Sequence, residues 1–310
     1  METVTRNRPG QVATRQLARF DEPTGPVSRL AVVSDAHLTE TGHGTLKMLH
    51  RTKQRLRTAV GDTRRLGVDG VVVAGDLTAD GTDAEYRLAD RLLGAATSPQ
   101  VVLPGNHDVG PSRGEPPAPD EVASRYGHEG YPVTTTVGGL SILGLDSTVP
   151  GRIHGRVDPD TLRAEAGSLA EQPTVAVLHH PVAPLPESFR GLVGRSTHRI
   201  RQPAAVADAL TAAGVELVVS GHLHWPFVTR YRGLFVVGAP STASFPPSYL
   251  LIETDPEGTT VSLVPLAGPE GVREAYEFAI EDELRGEAIE RVVSDTDREG
   301  IPAAQPIEKH

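Results

Sequence analysis

The stretch LVVSGHLHWP, residues 217–226, joins an apolar strand pattern to two closely spaced histidines. Its β-forming residues end in Ser-Gly, and His222 and His224 then flank one leucine before Trp-Pro. If the backbone stays extended, side chains at positions i and i+2 point to the same face. The pair is therefore either two ligands that face one site or the polar edge of a strand that reaches the surface. The ends of the other strands decide between these possibilities.

The segments around this stretch alternate between apolar strand patterns and helix patterns. Continuous Val- and Leu-rich strands that alternate with helices are typical of an α/β domain whose sheet is buried on both faces. Strands without intervening helices dominate the second half, which predicts a second sheet packed on the first. The predicted strands are 29–34, 70–75, 100–105, 132–137, 140–145, 174–180, 215–220, 227–231, 234–239, 248–254 and 260–266. The predicted helices are 45–67, 82–94, 158–170 and 202–214.

Five of the apolar strands end in the same way, with Asp, His or Asn within a few residues of the apolar run. In open α/β sheets, ligands bind beyond the carboxyl ends of the strands, so these side chains are expected at one edge. Gly75, Gly105 and Gly221 each precede such a group, where a tight turn or a close approach of the backbone requires a missing side chain. In chain order, the polar residues are Asp35, His37, Asp76, Asn106, His107, Asp108, His179, His180, His222 and His224.

Each of these short motifs also has an ordinary structural explanation. A single Asp-x-His is common as a cap or turn, His179-His180 would fit a buried pair bonded to carbonyls, and Asn and Asp after Gly are usual turn residues. A purely structural role has to account for all five strand ends together, which favours a shared site. A set of Asp, Asn and His of this size contains more candidate ligands than one tetrahedral metal ion can bind. It fits two transition metals that share a carboxylate, about 3.5–4 Å apart.

The composition excludes several classes of site and partner. The 310 residues contain no cysteine, which rules out disulfides, thiolate metal sites and a cysteine nucleophile. The net charge of −10 argues against a surface for bulk nucleic-acid binding. The N-terminus lacks the continuous apolar core of a signal peptide, and no apolar run approaches the roughly 18 residues that would span a bilayer. A soluble, cytoplasmic protein without a membrane partner is therefore expected.

The chain is expected to form one domain with an extension at each end. Residues 1–28 precede the first predicted strand, and residues 283–310 form an acidic tail. The last thirty residues, 281–310, hold nine acidic and four basic side chains, which supplies half of the net charge. Both extensions are predicted to be disordered, which leaves a domain at residues 29–282.

In this order, Asp-x-His, Gly-Asp, Gly-Asn-His-Asp, His and Gly-His-x-His resemble the five-part signature of the calcineurin-like metallophosphoesterase superfamily. The resemblance covers residues 29–254, and Ser-Asp-x-His-Leu, His-His-Pro at 179–181 and the chain length are most similar to the class III cyclic-nucleotide phosphodiesterases. It implies an α/β/β/α sandwich of two mixed sheets with a bimetal site at the C-terminal ends of the strands. It also implies two ions of Mn, Fe or Zn, bridged by Asp76. The first ion would be held by Asp35, His37 and His224, and the second by Asn106, His179 and His222.

The resemblance further implies the hydrolysis of a small phosphodiester such as a cyclic nucleotide. A phosphodiester is an anion that repels hydroxide, and two cations both neutralise it and lower the pKa of a bridging water toward about 7. The bridging hydroxide would then attack the phosphorus. His107, outside the metal shell, would stabilise the phosphate or protonate the leaving group, with Asp108 orienting it. A glycerophosphodiesterase, a phosphomonoesterase of the same superfamily or a non-catalytic scaffold are the alternatives.

Candidate substrate contacts are histidines near the predicted edge. His180 matches no ligand position and is expected behind the ligands or against the substrate, together with the loop residues His43 and His154. For the two loop histidines, simple exposure is the competing interpretation. Lys47 belongs to a basic helix face that is interpreted as solvated surface. Ala79 stands where purple acid phosphatases carry a tyrosine. A homodimer is a further possibility. Other loop residues near this edge are Arg195, His198 and Trp225.

Overall fold

The computed structural model describes residues 12–110, 116–169, 172–189, 191–192 and 198–295. The strands are β1 Arg15–Phe20, β2 Ser28–Val33, β3 Gly70–Ala74, β4 Gln100–Leu103, β5 Val133–Val137, β6 Leu140–Leu145, β7 Thr174–Leu178, β8 Val215–Ser220, β9 Phe227–Tyr231, β10 Leu234–Gly238, β11 Ser248–Asp255 and β12 Gly258–Pro265. The helices are α1 Thr52–Leu66, α2 Asp83–Leu93, α3 Pro119–Arg125, α4 Pro159–Leu169, α5 Pro203–Ala212, α6 Pro269–Ile280 and α7 Gly286–Asp295.

The strands form two six-stranded mixed sheets that pack face to face. The first sheet has the order β1-β12-β11-β2-β3-β4, and the second has the order β5-β6-β7-β8-β10-β9. Strands β2, β3 and β4 run parallel, as do β6, β7, β8 and β10, while the remaining pairs are antiparallel. Because parallel strands end at a common edge, the loops after β2, β3 and β4 emerge together, and so do those after β7 and β8.

Alternate side chains of each central strand enter different apolar layers. In β3, Val72 and Ala74 pack between the two sheets, whereas Val71 and Val73 pack under the helices of the first outer layer. Each fully buried valine stabilises the fold by about 1.5–3 kcal/mol relative to an exposed one. A strand that is buried on both faces must be apolar throughout, which is the pattern seen in the sequence. The predicted α/β/β/α sandwich of two mixed sheets is confirmed.

The turn before α1 differs from the predicted helix 45–67, because α1 begins only at Thr52. The backbone N–H of Met48 donates to the carbonyl of Ala243 at 3.0 Å, and the Met48 side chain is fully buried. The guanidinium of Arg55 donates to the same carbonyl at 2.9 Å and to the Met48 sulfur at 3.1 Å. These contacts fix residues 45–48 against the loop that follows β10.

The N-terminal segment corrects the prediction of a disordered extension over residues 1–28. Strand β1 lies within it and pairs antiparallel with β12, with Phe20 opposite Thr259. Leu17 and Phe20 are 4% and 2% exposed and enter the layer between the sheets. Burial of these two side chains, together with the strand pairing, orders the segment from residue 12 onward. Residues 1–11 lie outside the described part of the chain.

The C-terminal segment likewise corrects the predicted acidic tail over residues 283–310. Helix α7 lies within it, and Ala288, Ile289 and Val292 pack into the outer apolar layer beneath the second sheet. The acidic residues Glu287 and Glu290 lie on the exposed side of the same helix. The high charge of the segment therefore concealed an amphipathic helix. Residues 296–310 lie outside the described part. Among the described residues, no helix is both long and apolar enough to cross a bilayer.

Candidate metal centre at the strand ends

The polar residues after the strands leave the sheet through an unusual backbone conformation. Seven non-glycine residues of the described chain have positive φ, and five of them belong to the predicted metal ligands. A side chain in this left-handed region costs about 1–2 kcal/mol. The two histidines of LVVSGHLHWP are therefore not on an extended strand, because β8 already ends at Ser220. The five residues and their φ angles are Asp35 (51°), His37 (43°), Asp76 (49°), His222 (70°) and His224 (59°).

Two glycines allow the loops to approach each other closely, as the sequence predicts. A Cβ atom on Gly105 would lie 2.1 Å from Oδ1 of Asp76, and one on Gly75 would lie 2.4 Å from Nδ1 of His179. Neither position has room for a side chain. The glycines therefore bring the loop after β3 into contact with the loops after β4 and β7.

The first group of metal-ligand atoms comes from three strand ends. Nε2 of His37 lies 3.1 Å from Nε2 of His224, and the latter lies 3.2 Å from Oδ1 of Asp35. Nε2 of His37 is also 3.7 Å from Oδ2 of Asp76. All four side chains are buried. The ring of His224 is oriented by Ser244, whose Oγ lies 3.0 Å from Nδ1.

The second group is built on the other side of Asp76. Nε2 of His179 lies 3.4 Å from Oδ2 of Asp76, 3.3 Å from Oδ1 of Asn106 and 3.2 Å from Nδ1 of His222. The same carboxylate oxygen of Asp76 therefore stands between His37 of one group and His179 of the other. His222 and His224 fall into different groups, so the two histidines of the opening stretch do not face a single point.

The donor atoms of both groups fit metal ions. The carbonyl of Ala74 lies 2.9 Å from Nδ1 of His179, so this nitrogen carries the proton and the lone pair on Nε2 faces the oxygens of Asp76 and Asn106. Lone pairs that converge in this way repel one another unless a cation lies among them. Metal–ligand bonds of about 2.0–2.2 Å place neighbouring ligand atoms roughly 3.0–3.5 Å apart, which is close to the separations found here.

The pKa values of the buried groups reflect the same convergence of charge. Burial opposes ionisation of Asp76, but His179 and His37 outweigh it and hold the pKa of Asp76 well below its ordinary value. Burial alone would lower the pKa of His179, but the Asp76 carboxylate raises it to about 9. For His37, burial and the Lys47 ammonium lower the pKa well below its ordinary value. A proton on His179 thus occupies a position that a metal ion would take.

His107 lies beside the first group, and its orientation is set by backbone contacts. Nδ1 donates to the carbonyl of Ala79 at 2.7 Å, and the backbone N–H donates to Oδ1 of Asp76 at 2.8 Å. The ring meets that of His37 edge-on at 4.7 Å. Nε2 of His107 lies 2.9 Å from the ammonium of Lys47. The ring is therefore held next to the metal-ligand atoms with Nε2 directed at a cation.

Asp108 does not orient His107, which corrects the role predicted for it. Its carboxylate accepts hydrogen bonds from the backbone N–H groups of Leu77, Thr78 and Gly105 and from the hydroxyl of Thr78. Sequence adjacency suggested a contact with His107, but the side chain turns back toward the loop after β3. Asp108 thus ties together the two loops that carry Asp76 and Asn106, while the carbonyl of Ala79 takes the role of orienting His107.

The structure places the three candidate substrate contacts in different environments. His180 is fully buried, with Nδ1 2.9 Å from the hydroxyl of Ser147, and one of its ring nitrogens lies within 4.8 Å of ligand atoms of His179 and His222, so it borders the second group and has no surface for a substrate. His43 is exposed and stacks on His50 with ring centroids 5.0 Å apart, and no described contact joins it to the two groups. His154 is partly exposed next to Gly155, which packs against the His180 ring.

Among the other loop residues, Trp225 is fully buried between Phe189 and Phe245, so it is not available to contact a substrate. The ring centroid of His198 lies 5.5 Å from that of His222, and Arg195 falls outside the described residues.

Two cations near the site were not predicted as site residues. Lys47 was assigned to a solvated helix face, but it lies in the turn before α1 and reaches His107. Arg285 was assigned to a disordered tail, but its guanidinium donates to the carbonyl of Leu223 at 2.8 Å, between His222 and His224. Neither residue belongs to a strand end, so the signal that located the ligands could not locate them.

Comparison with known proteins agrees with this geometry. Residues 28–226, most of the chain, match the calcineurin-like phosphoesterase family. The chain belongs to this family. Family membership confirms the resemblance found in the five motifs and makes the protein a metal-dependent phosphoric ester hydrolase.

Two relatives of this chain are named for different phosphodiesterase activities. A probable cyclic nucleotide phosphodiesterase of Synechococcus is 28% identical over 239 residues, which cover 74% of this chain and 89% of that protein. A glycerophosphodiester phosphodiesterase of Enterobacter lignolyticus is 27% identical over 194 residues, covering 56% of this chain and 62% of that protein. A dimetal phosphatase of Danio rerio has a TM-score of 0.58 at 17% identity and covers 78% of this chain and 98% of that one. At that identity the match supports the fold alone.

Proposed function

We propose that the protein is a binuclear metal-dependent phosphodiesterase that hydrolyses a small phosphodiester, with cyclic nucleotides as the first substrate class. The observation that carries the proposal is the position of Asp76, whose Oδ2 lies within 3.7 Å of His37 and 3.4 Å of His179. One carboxylate oxygen thus joins two groups of ligand atoms. Mixed oxygen and imidazole donors suit Mn, Fe or Zn. When bound, two such ions would neutralise the phosphate charge and lower the pKa of a coordinated water.

The ligands divide between the two ions according to the two groups. Asp76 would contribute to both ions. One ion would be held by Asp35, His37 and His224, and the other by Asn106, His179 and His222. The hydrogen bonds behind them support these roles, because Ala74 accepts from His179 and Ser244 contacts His224 at the ring nitrogen opposite the site. Such outer contacts orient imidazole ligands and fix their tautomers.

His107 is the side chain placed to act on the substrate. Its ring is held by Ala79 and stands against His37, so a phosphate bound at the two groups would lie within its reach. A partly buried imidazole at this point can bind a phosphate oxygen or give a proton to the leaving alkoxide, which is typically worth about 10²–10⁴-fold in rate. Asp108 contributes indirectly, by holding the loops of Asp76 and Asn106 in register.

The names of the relatives support a diester substrate and leave two classes to compare. The Synechococcus relative is named for cyclic nucleotides, and the Enterobacter relative for glycerophosphodiesters. We place cyclic nucleotides first because the match to the Synechococcus protein extends over more of both chains. A phosphomonoesterase and a non-catalytic scaffold are the outcomes that would replace the proposal.

The test compares the hydrolysis of bis-p-nitrophenyl phosphate and p-nitrophenyl phosphate by metal-free protein supplied with Mn²⁺. We expect the diester to be cleaved faster, and a panel of cyclic nucleotides and glycerophosphodiesters then ranks the natural classes. The variant Asp76→Ala should lose bound metal, whereas Asp80→Ala, four residues away, should retain it. Much faster cleavage of the monoester would refute the diesterase assignment. Less than about one bound metal per chain, without rescue by Mn²⁺, Fe²⁺ or Zn²⁺, would favour the scaffold.

A further inference from the structure

Lys47 is the cation that approaches His107 in the described part of the chain. Its Nζ atom lies 2.9 Å from Nε2 of His107, and the lysine side chain is partly buried. Within the described residues, the ammonium makes no ion pair with a carboxylate, and its hydrogen-bond partner is this imidazole. Because Nδ1 of His107 donates to Ala79, Nε2 carries a lone pair and accepts from the lysine. The group that presents protons at this point of the site is therefore the ammonium.

The backbone around Lys47 is fixed on both sides. The N–H of Lys47 donates to the hydroxyl of Thr45 at 3.3 Å, and the N–H of Met48 donates to the carbonyl of Ala243 at 3.0 Å. The Met48 side chain is buried and contacts the guanidinium of Arg55. A lysine on a solvated helix face would lose most of its rotamer freedom if it bound a ligand. Here the turn already directs the side chain toward the strand ends.

Nearby carboxylates offset part of the cost of burying the Lys47 ammonium. Burial lowers the pKa of Lys47, while the carboxylates of Asp76 and Asp35 oppose this effect. If Asp76 and Asp35 held metal ions, their charge would be shared with the ions, and the partly buried ammonium would be stabilised by a further anion in addition to Asp80. The substrate phosphate is the anion that the reaction brings to this place.

We propose that Lys47 is a substrate-binding residue whose ammonium donates a hydrogen bond to a phosphate oxygen next to His107. The inference rests on the proposed function only in taking a phosphate ester as the substrate. A charged donor of this kind contributes about 1.5–3 kcal/mol, or roughly tenfold to hundredfold in affinity. In the complex, the phosphate oxygen would replace Nε2 of His107 as the acceptor of the lysine, which frees Nε2 to take up a proton from solvent and to donate it to the leaving alkoxide.

The experiment measures the binding of inorganic phosphate to metal-loaded protein by isothermal titration calorimetry. Lys47→Met should weaken phosphate binding about tenfold or more, at unchanged metal content. Lys53→Met is the matched control, because Lys53 lies in α1, donates to the carbonyl of Glu40 and loses the same charge on substitution. The control should bind phosphate like the wild type. Steady-state kinetics with bis-p-nitrophenyl phosphate should show a higher KM for Lys47→Met.

Phosphate affinity at the wild-type level in folded, metal-loaded Lys47→Met would overturn the proposal. The same result with a lower kcat would show that Lys47 only positions His107. If Lys47→Met does not fold, Lys47→Gln replaces it, since it keeps much of the side chain and its hydrogen-bonding capacity but removes the charge, and the same two outcomes decide. Phosphate binding is measured without turnover, so it tests Lys47 even if the wild type cleaves no phosphodiester, in which case only the proposed function fails.

Discussion

Replacement of Asp108 by alanine tests whether this residue connects the loops that carry Asp76 and Asn106 or acts as a partner of His107. The carboxylate accepts from N–H of Leu77 at 3.1 Å, N–H of Thr78 at 2.8 Å, the hydroxyl of Thr78 at 2.6 Å and N–H of Gly105 at 2.9 Å. A buried donor without an acceptor costs about 1–3 kcal/mol, so the four lost bonds together cost on the order of 8 kcal/mol.

One effect opposes this loss. Burial and the nearby Asp76 raise the pKa of Asp108 to about 6, which means that its ionisation at neutral pH costs the folded protein about 3 kcal/mol. Alanine removes that cost. The lost hydrogen bonds are the larger effect, and the net destabilisation should be on the order of 4–5 kcal/mol, or about 10 °C in Tm. The loops that carry Asp76 and Asn106 would also lose their connection, so metal occupancy should fall.

The assay combines calorimetric Tm, metal content by mass spectrometry and turnover, with His107→Ala measured in parallel. We expect Asp108→Ala to lose stability, metal and activity together, whereas His107→Ala loses activity alone. The reasoning would be refuted by an Asp108→Ala protein with the wild-type Tm and full metal content but the low activity of His107→Ala. That result would mean that Asp108 acts through His107 after all.

Three further predictions concern residues at or near the candidate metal centre. His107→Ala should retain metal and lose about 10²–10⁴-fold in kcat on diesters with poor leaving groups, and full rate on those substrates would contradict its role. Because Asp76 raises the pKa of His179 to about 9, metal binding must displace a proton from His179. Apparent metal affinity should therefore fall about tenfold for each pH unit below that value, and pH-independent titrations would disprove the competition. Arg285→Met removes the bond to the carbonyl of Leu223 and should weaken metal binding about tenfold, which dialysis against a chelator would measure.

The sequence predicts the ligand set because the chemistry follows a regular structural position. The end of each of these apolar strands can be recognised in the sequence by the polar residues that follow it. Because the strands run parallel, those ends lie at one edge of the sheet. Asp35, Asp76 and His179 could therefore be placed together without coordinates. The alternation of Val71 to Ala74 between two apolar layers explains why the layer order was also predictable.

The remaining parts of the site depend on contacts that no local pattern encodes. Lys47 lies in a turn fixed by the distant carbonyl of Ala243, and helix periodicity assigned it to a solvent face. Arg285 lies in a segment whose acidic composition concealed the apolar contacts of Ile289. Asp108 follows His107 directly in the chain, but successive side chains can point in different directions. Only the fold showed that it reaches Leu77 and Thr78 instead.

The left-handed backbone at five predicted ligands has a consequence for how this protein could evolve. Glycine would adopt those φ angles without strain, so His222→Gly would relieve about 1–2 kcal/mol of backbone strain while removing a ligand, whereas Asp35→Gly would also leave the N–H of His222 without its acceptor. A laboratory selection for heat resistance in the presence of a chelator should therefore enrich such changes and extinguish catalysis. The same selection with metal supplied should retain the aspartates and histidines, because the bound ions would then stabilise the native state. Thermal stability without metal and catalytic activity thus favour different residues at the same positions. The metal supply during selection determines which residue is retained.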